Sequence, residues 1–402
     1  MNKKLLLLLL SGIILFSFQP LFAQEEGEGY IFTTQKSIPV TSVKDQNRSG
    51  TCWSFSGLGF LEAELIRMGK GEYDLSEMFI VNRTYLHKAD IYVRMHGNFN
   101  FGGGGAFFDV FNMIKMYGIV PESAYTGLFD EEAGHVHGEL DALTKAYVDV
   151  IVKNPQKKLS PQWRKGFEAV VNTYLGEIPS EFEYEGKKYT PESFRKELGL
   201  NMDDYISITS FTHHPFYTKF AIEIPDNWAL EQSYNVPLEE MMIIMENAIN
   251  NGYTIAWGAD VSHKGFNWRK GVAIIPEKDF TSTSGSDRAR WENLSQNERD
   301  KELYTFDKPG KEQEITQEMR QIAFDNYTTT DDHGMVLTGI ATDQVGNKYF
   351  IVKNSWGLKS SNPYDGYFYA SFPFVEMQTI NIIVHKDAIP KDIRKKLNIK
   401  QH

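Results

Sequence analysis

Apolar positions recur at helical spacing in the stretch that follows the only cysteine of the chain. They are Leu58, Leu61, Leu65 and Met68. Spacings of three and four place these side chains on one face of a helix, and Gly69 and Gly71 then interrupt the pattern. The sequence therefore predicts a helix that begins at Cys52, directly after the turn-rich polar stretch 45–50.

Further along the chain the pattern changes from helical to extended. Helices are predicted over Ala106–Tyr117 and Pro161–Leu175, whereas β-like runs dominate from Tyr253 to Val384. One run begins at His333 and another covers 348–353, and the residues between them, 341–347, are typical of a hairpin turn. The predicted fold class is α+β.

The first 23 residues have the form of an export signal. Lys3 and Lys4 precede an apolar run from Leu5 to Phe18, and Ala23 supplies a small residue at a plausible cleavage point. The run is short for a bilayer span of about 20 residues. We expect a signal peptide over 1–23 and an exported chain, 24–402, in the bacterial periplasm or outside the cell, without stable membrane insertion. A retained anchor is the alternative.

The charge balance narrows the choice of partners. Without residues 1–23, which contain two lysines, the chain carries 40 basic and 53 acidic residues, a formal net charge of −13. Such an excess of negative charge argues against a nucleic acid as partner. The glycine-rich stretch 101–106 lacks the Lys-Ser/Thr of a phosphate-binding loop. Neither 135–137 nor 213–214 places its histidines in a metal-ligand spacing, so no metal and no cofactor are expected.

Cys52 is the single cysteine among 402 residues and cannot form an intrachain disulfide. At the start of a helix its sulfur meets unpaired N–H groups and the positive end of the helix dipole, which lower the pKa of a thiol. The side-chain amide of Gln46 and the backbone N–H of Cys52 form a candidate oxyanion hole. The structural alternatives are a buried small hydrophobe for Cys52 and a surface turn residue for Gln46.

Among the ten histidines, His333 has the neighbourhood of a catalytic base. It opens one predicted strand and Asn354 follows the next, so the hairpin brings the two side chains together. An Asn carbonyl that accepts from an imidazole fixes the tautomer and the orientation of the ring. Trp356 is expected to cover this hydrogen bond from water. Taken singly, a core histidine and a strand-end asparagine are the alternatives.

Together, the segments 46–55, 333–334 and 354–357 resemble papain-type cysteine peptidases. The family motif reads Cys-Gly-Ser/Ala-Cys-Trp/Tyr where this chain has 49–53, Ser-Gly-Thr-Cys-Trp. His333 lies 281 residues after Cys52, whereas about 130–150 separate them in the papain subgroup. This enlarged layout resembles the bleomycin hydrolase and aminopeptidase C branch, as do 75–77, 116–121, 257–261 and 382–390.

The resemblance implies a papain-like fold with two lobes. A helical lobe, about 45–125, carries Cys52, and an antiparallel β lobe, about 251–388, carries His333 and Asn354. A large helical insertion, about 126–250, separates them, and 389–402 forms a short C-terminal tail. The resemblance also implies that Gly104 and Gly105 form a wall without side chains for the substrate backbone, with Trp356 as a further substrate contact.

The implied activity is hydrolysis of peptide substrates through a thioester acyl-enzyme, most closely that of an aminopeptidase. In this branch a C-terminal arm lies in the cleft and confines the enzyme to free N-termini, whereas here only residues 391–402 follow Pro390. An endopeptidase is therefore an alternative, as are a cysteine-dependent amidase or acyltransferase and an inactive binding relative. The branch also implies a homo-hexamer; its basic channel is not expected in a chain this acidic.

Overall fold

The computed structural model describes residues 29–129, 133–155, 158–277, 294–358 and 361–400. The predicted signal peptide, 1–23, lies outside the described residues. The helices are α1 (Cys52–Arg67), α2 (Glu77–Arg94), α3 (Phe107–Tyr117), α4 (Gly138–Val152), α5 (Gln162–Leu175), α6 (Pro191–Leu198), α7 (Leu238–Asn250), α8 (Gln296–Leu303), α9 (Gln317–Asp325), α10 (Phe372–Gln378) and α11 (Lys391–Lys396).

The strands are β1 (Thr33–Ser37), β2 (Phe182–Tyr184), β3 (Lys187–Tyr189), β4 (Tyr205–Thr209), β5 (Lys219–Ala221), β6 (Gln232–Asn235), β7 (Ile255–Ala259), β8 (Phe266–Asn267), β9 (Val272–Ala273), β10 (His333–Thr342), β11 (Lys348–Lys353), β12 (Tyr367–Ser371) and β13 (Thr379–His385). The α+β class and the three helices predicted around Cys52, 106–117 and 161–175 are confirmed, with ends within one residue of the expectation for the last two.

A single mixed sheet forms the frame of the molecule. Its order is β5-β6-β4-β13-β7-β10-β11-β12-β9-β8, and β1 pairs with β10. The predicted hairpin is β10–β11, which are antiparallel neighbours, and β10 also pairs antiparallel with β7, so that His333 lies opposite Ala259. Since β10 has partners on both sides, the strand that presents His333 is held along its length.

The central strands are apolar throughout because both faces of the sheet are covered. Ala256, Val336 and Ile383 pack into the core shared with helices α1, α2, α3 and α5. Their neighbours Trp257 and Leu337 face the opposite core, which contains α7. Successive side chains of a strand point to opposite faces, so two cores require continuous apolar runs rather than alternation.

The stretch 126–250 is not only helical. It contains α4, α5, α6 and α7, but it also supplies β4 and β6, which extend the main sheet beyond β13. These strands are short and interrupted by turns, so their period-2 pattern was too brief to predict. In the described part of the chain, no helix is long and apolar enough to cross a bilayer.

Candidate active site

Cys52 is the first residue of α1 and is half-buried. The first turn of the helix is closed by the Thr51 carbonyl, which accepts from the backbone N–H groups of Ser54 and Phe55 at 2.9 and 3.2 Å. The backbone N–H groups of Trp53 and Gly334 face the thiol and favour its ionised form. The sequence-based placement of Cys52 at a helix start is therefore what the structure has.

The imidazole of His333 is oriented by Asn354. His333 Nε2 lies 2.7 Å from Asn354 Oδ1, which also accepts from the backbone N–H of Ser355 at 2.8 Å. An amide oxygen can only accept, so the proton of the neutral ring is on Nε2 and Nδ1 carries the lone pair. The Trp356 ring lies 4.9 Å from the His333 ring and tilts over it. Nδ1 is thus the nitrogen available to take a proton.

Cys52 and His333 line one cavity between α1 and the sheet. Its wall also includes 105–108, Gly258, Asn381 and the irregular segment 222–227. Among the described residues, none after Asn381 lines this cavity. The C-terminal helix α11 instead packs against the core around α7 through Ile393. The structure therefore places the predicted nucleophile and base in the wall of one cavity.

The electrostatics of the cavity differ from the expectation for a helix start. Burial raises the pKa of the Cys52 thiol to about 12, and the carboxylates of Asp331 and Asp226 add to this. Burial also lowers the pKa of His333 to about 4, against the opposing effect of its bond to Asn354. The expectation that N–H groups and the helix dipole lower the pKa of this thiol was wrong, because desolvation outweighs both effects. Neither ion is stable alone, so charge arises here only when the proton moves from sulfur to imidazole.

Gln46 is buried beside the segment that carries Asn354. Its Oε1 accepts from Ser355 Oγ at 2.7 Å, and its Nε2 donates to the Ser49 carbonyl at 2.9 Å. The backbone N–H of Gln46 donates to the Ser355 carbonyl at 2.9 Å. An amide nitrogen carries two hydrogens, and among the described residues the second has no acceptor. The neighbours of Gln46 thus fix its orientation, and one N–H of its side-chain amide is left to donate to a ligand.

An ion cluster with two buried carboxylates, Glu62 and Glu77, and one exposed carboxylate, Asp74, fixes the loop that contains Gln46. Lys44 Nζ lies 3.0 Å from Glu62, 2.6 Å from Asp74 and 2.6 Å from Glu77. The Lys44 carbonyl accepts from the backbone N–H of Gly357. One lysine therefore ties α1 and α2 to the loop before Cys52, while its backbone joins the segment after Asn354.

The three predicted substrate-binding residues lie in different environments. Gly105 lines the cavity, and a Cβ there would lie 2.8 Å from both the Trp53 ring and the Asp109 carboxylate, so only glycine fits. Gly104 is covered, since a Cβ on it would overlap the carboxylate of Asp226. Trp356 contacts His333 and is not part of the cavity wall.

The histidine pairs set aside as metal ligands lie outside this cavity. His135 and His137 flank a backbone bridge to Arg48. His213 and His214 each place Nε2 3.0 Å from a Glu223 oxygen. In the described ranges, His213, His214 and Glu223 form the one group of three such residues whose ligand atoms are close enough to share a metal ion.

Sequence reasoning missed the acidic side of the cavity. Asp226, Asp331 and Asp332 all line it. Burial raises the pKa of Asp331 to about 8, so this carboxyl is mostly protonated at neutral pH. Asp331 and Asp332 precede His333 directly, which was a usable signal, whereas Asp226 is brought in from a loop 107 residues earlier by the tertiary fold.

Comparison with known proteins agrees with this geometry. The model of the Peptidase C1-like family matches residues 23–299 and 280–401. Aminopeptidase G of Lactobacillus delbrueckii subsp. lactis is 23% identical over 405 residues, which cover 90% of this chain and 84% of that protein. Aminopeptidase C of Streptococcus thermophilus is 23% identical over 396 residues, 87% and 82% of the two chains. The crystal structure of PepW from Lactobacillus rhamnosis superposes with a TM-score of 0.68 at 19% identity and covers 91% of this chain and 84% of its own.

Proposed function

The chain belongs to the peptidase C1-like family and is a cysteine peptidase, and we propose that it is an aminopeptidase that removes single residues from peptide N-termini. Two similar proteins carry the names aminopeptidase G and aminopeptidase C. The observation that carries the proposal is the cavity that Cys52 and His333 share, with Asn354 orienting the imidazole ring.

The reaction begins with transfer of the Cys52 thiol proton to His333 Nδ1. Sulfur attacks the substrate carbonyl carbon, and the resulting oxyanion accepts from the backbone N–H of Cys52 and from Gln46 Nε2. His333 donates its proton to the amide nitrogen as the C–N bond breaks, which leaves a thioester. Water then attacks the thioester, giving a proton to His333, and that proton returns to sulfur as the C–S bond breaks.

Two kinds of substrate test this proposal. The purified chain in reductant is offered aminoacyl coumarylamides with a free α-amine and longer peptides blocked by an N-terminal acetyl group, alongside Cys52→Ala as the matched control. We expect hydrolysis of the free-amine substrates alone, abolished in Cys52→Ala. Cleavage of the blocked peptides would instead mean an endopeptidase. Transfer to added amines faster than to water would mean an acyltransferase.

We also propose that the protein is exported and assembles as the bleomycin hydrolase branch does. Export is supported by the basic, apolar and small-residue order of 1–23. Assembly is supported by family membership alone. Light scattering of the purified chain measures the mass directly: a value near six times 46.1 kDa favours the hexamer, and a monomer mass contradicts it. Fractionation of cells that express the full chain tests export.

A further inference from the structure

The segment 222–231 contributes to the cavity wall beside the glycine wall. Its residue Asp226 lies against Gly104 so closely that a Cβ on Gly104 would overlap the carboxylate. Asp226 and Ile224 both line the cavity that contains Cys52. Residues on the N-terminal side of a scissile bond would extend along this wall, and the position next to Gly104 is already filled. The cleft therefore ends at Asp226.

The carbonyls of the wall already accept hydrogen bonds from side chains of the protein. Lys88 Nζ donates to the carbonyls of Gly102 and Gly104 at 3.2 and 2.7 Å. Trp53 Nε1 donates to the carbonyl of Gly103 at 3.0 Å. A peptide that pairs with a wall as an added strand needs free backbone acceptors. Three consecutive carbonyls here already have internal donors, which disfavours a long substrate on this side.

The position of Asp226 is fixed by its neighbours. Asn227 Nδ2 donates to the Ile222 and Glu231 carbonyls, each at 3.0 Å, and its Oδ1 accepts from the Glu231 backbone N–H, which closes the loop on itself. Trp228 is buried and donates from Nε1 to Asp109 Oδ2 at 3.0 Å, so the loop is attached to helix α3. A carboxylate on a loop held in this way is preorganised for a ligand.

Asp226 lacks a full counter-charge. Its one hydrogen bond to a described residue comes from Asn100 Nδ2 at 3.0 Å, and no Lys or Arg nitrogen of the described ranges lies within ion-pair distance of it. Lys88 is near enough to favour its ionised form, but its ammonium is used by the wall carbonyls. Burial still raises the pKa of Asp226. A cation bound in the cavity would favour the ionised carboxylate of Asp226 and so oppose this rise in its pKa.

The other two carboxyls of the cavity are poorer partners for a cation. Asp331 has a pKa raised to about 8 by burial, so it offers little charge at neutral pH. Asp332 accepts from the backbone N–H groups of Val261 and Ser262 at 3.2 and 3.0 Å. Among these three carboxylates, Asp226 is the one that is held in a fixed position in the cavity wall and has no ion-pair partner among the described residues.

We infer that Asp226 binds the α-ammonium group of the substrate residue whose carbonyl Cys52 attacks. The inference rests on the proposed aminopeptidase function and gives it a structural cause. One residue fits between the nucleophile and the end of the cleft, its ammonium meets Asp226, and a blocked or longer N-terminus meets the carboxylate and Ile224 instead.

The test is a double-mutant cycle in which one change is made in the enzyme and the other in the substrate. Wild type and Asp226→Asn are each assayed with the best-cleaved aminoacyl coumarylamide and with its desamino analogue, which lacks only the α-amine. We expect Asp226→Asn to lose about 30- to 100-fold in kcat/KM on the aminoacyl amide, the usual worth of a charged hydrogen bond. The desamino amide should be poor for wild type and unchanged in the variant. Asp203→Asn, a change of an exposed carboxylate that does not line the cavity, is the matched charge control.

The outcomes are distinguishable. An equal loss on both substrates would assign Asp226 a structural role only, and no loss on the aminoacyl amide would remove it from recognition; either result overturns the inference. If Asp226→Asn does not fold, the two substrates still test it in wild type, where equal rates would contradict it. If wild type prefers blocked peptides, the proposed function itself fails, whatever Asp226→Asn does.

Discussion

The pairing of Cys52 with His333 gives the most exacting prediction. Burial sets the pKa of the thiol at about 12 and that of the imidazole at about 4. A thiol with a pKa near 12 and no proton acceptor is ionised about once in 10⁵ molecules at pH 7. In the native cavity the proton can instead pass to His333 Nδ1, which leaves two opposite charges side by side. Reactivity of the sulfur should therefore depend on the partner and not on pH.

Replacing His333 by Gln removes the proton acceptor while it retains much of the side-chain volume, so the cavity stays closed to water. We expect the alkylation rate of Cys52 by chloroacetamide to be nearly flat from pH 6 to 8.5 in wild type. In His333→Gln it should be far slower at pH 7 and rise about tenfold per pH unit, with no plateau below pH 9.5. Peptidase activity should fall by at least about 10³-fold.

Mass spectrometry of the alkylated chain measures this rate directly, since Cys52 is the single thiol. The control is the unfolded chain in urea, where the thiol should titrate near its ordinary pKa of about 8.5. A His333→Gln variant that reacts as fast as wild type at pH 7, or whose rate levels off near pH 8.5, would refute the reasoning. Either result would mean that burial does not control the thiol.

Three further outcomes follow from individual contacts. Gln46→Ala should lower kcat by about 10²–10³-fold with little change in KM. Ser355→Ala, which acts only through Gln46, should lower kcat by about tenfold, and combining it with Gln46→Ala should cause no further loss. Steady-state kinetics of the three variants checks both expectations. Gly105→Ala should lower the free energy of unfolding by about 1–3 kcal/mol through overlap with the Trp53 ring, whereas Gly102→Ala, with open space around it, should not; denaturant titration compares them. Burial raises the pKa of Glu312 from 4.5 to about 7. The protonated carboxyl therefore makes its full contribution to stability below pH 4.5, and that contribution is lost as pH rises towards 7. The free energy of unfolding, measured by denaturant titration, should fall less steeply over that range in Glu312→Gln than in wild type.

Helices with apolar side chains recurring at helical spacing were predictable. The spacing of three and four residues identified α1, α3 and α5, although α1 also buries Glu62 and Glu64. Helix α2 escaped notice because Asn82, Thr84 and Lys88 are buried on it. Lys88 is inside because it serves the glycine-wall carbonyls, a reason that exists only in the folded chain.

The site divides in the same way. Cys52, His333 and Asn354 were identifiable because strand pairing and a helix start fix their relation locally. Asp226 was not, since 223–231 has no apolar period and is typical of an exposed acidic loop. Its contact with Gly104 spans more than a hundred residues of sequence. The direction of the thiol pKa failed for a related reason: burial is a property of the whole fold, whereas the helix dipole is local.

One series of hydrogen bonds joins His333 to Gln46, the proposed oxyanion donor. His333 Nε2 donates to Asn354 Oδ1, the same oxygen accepts from the Ser355 backbone, and Ser355 Oγ donates to Gln46 Oε1. The order Asn-Ser-Trp at the end of β11 thus does more than orient the imidazole. Three successive residues supply the partner of the imidazole, the partner of the Gln46 amide and the cover of the imidazole ring. Because the same segment pairs with the loop before Cys52, a shift of either segment would move His333 and Gln46 together, so the proposed base and the proposed oxyanion donor are structurally coupled.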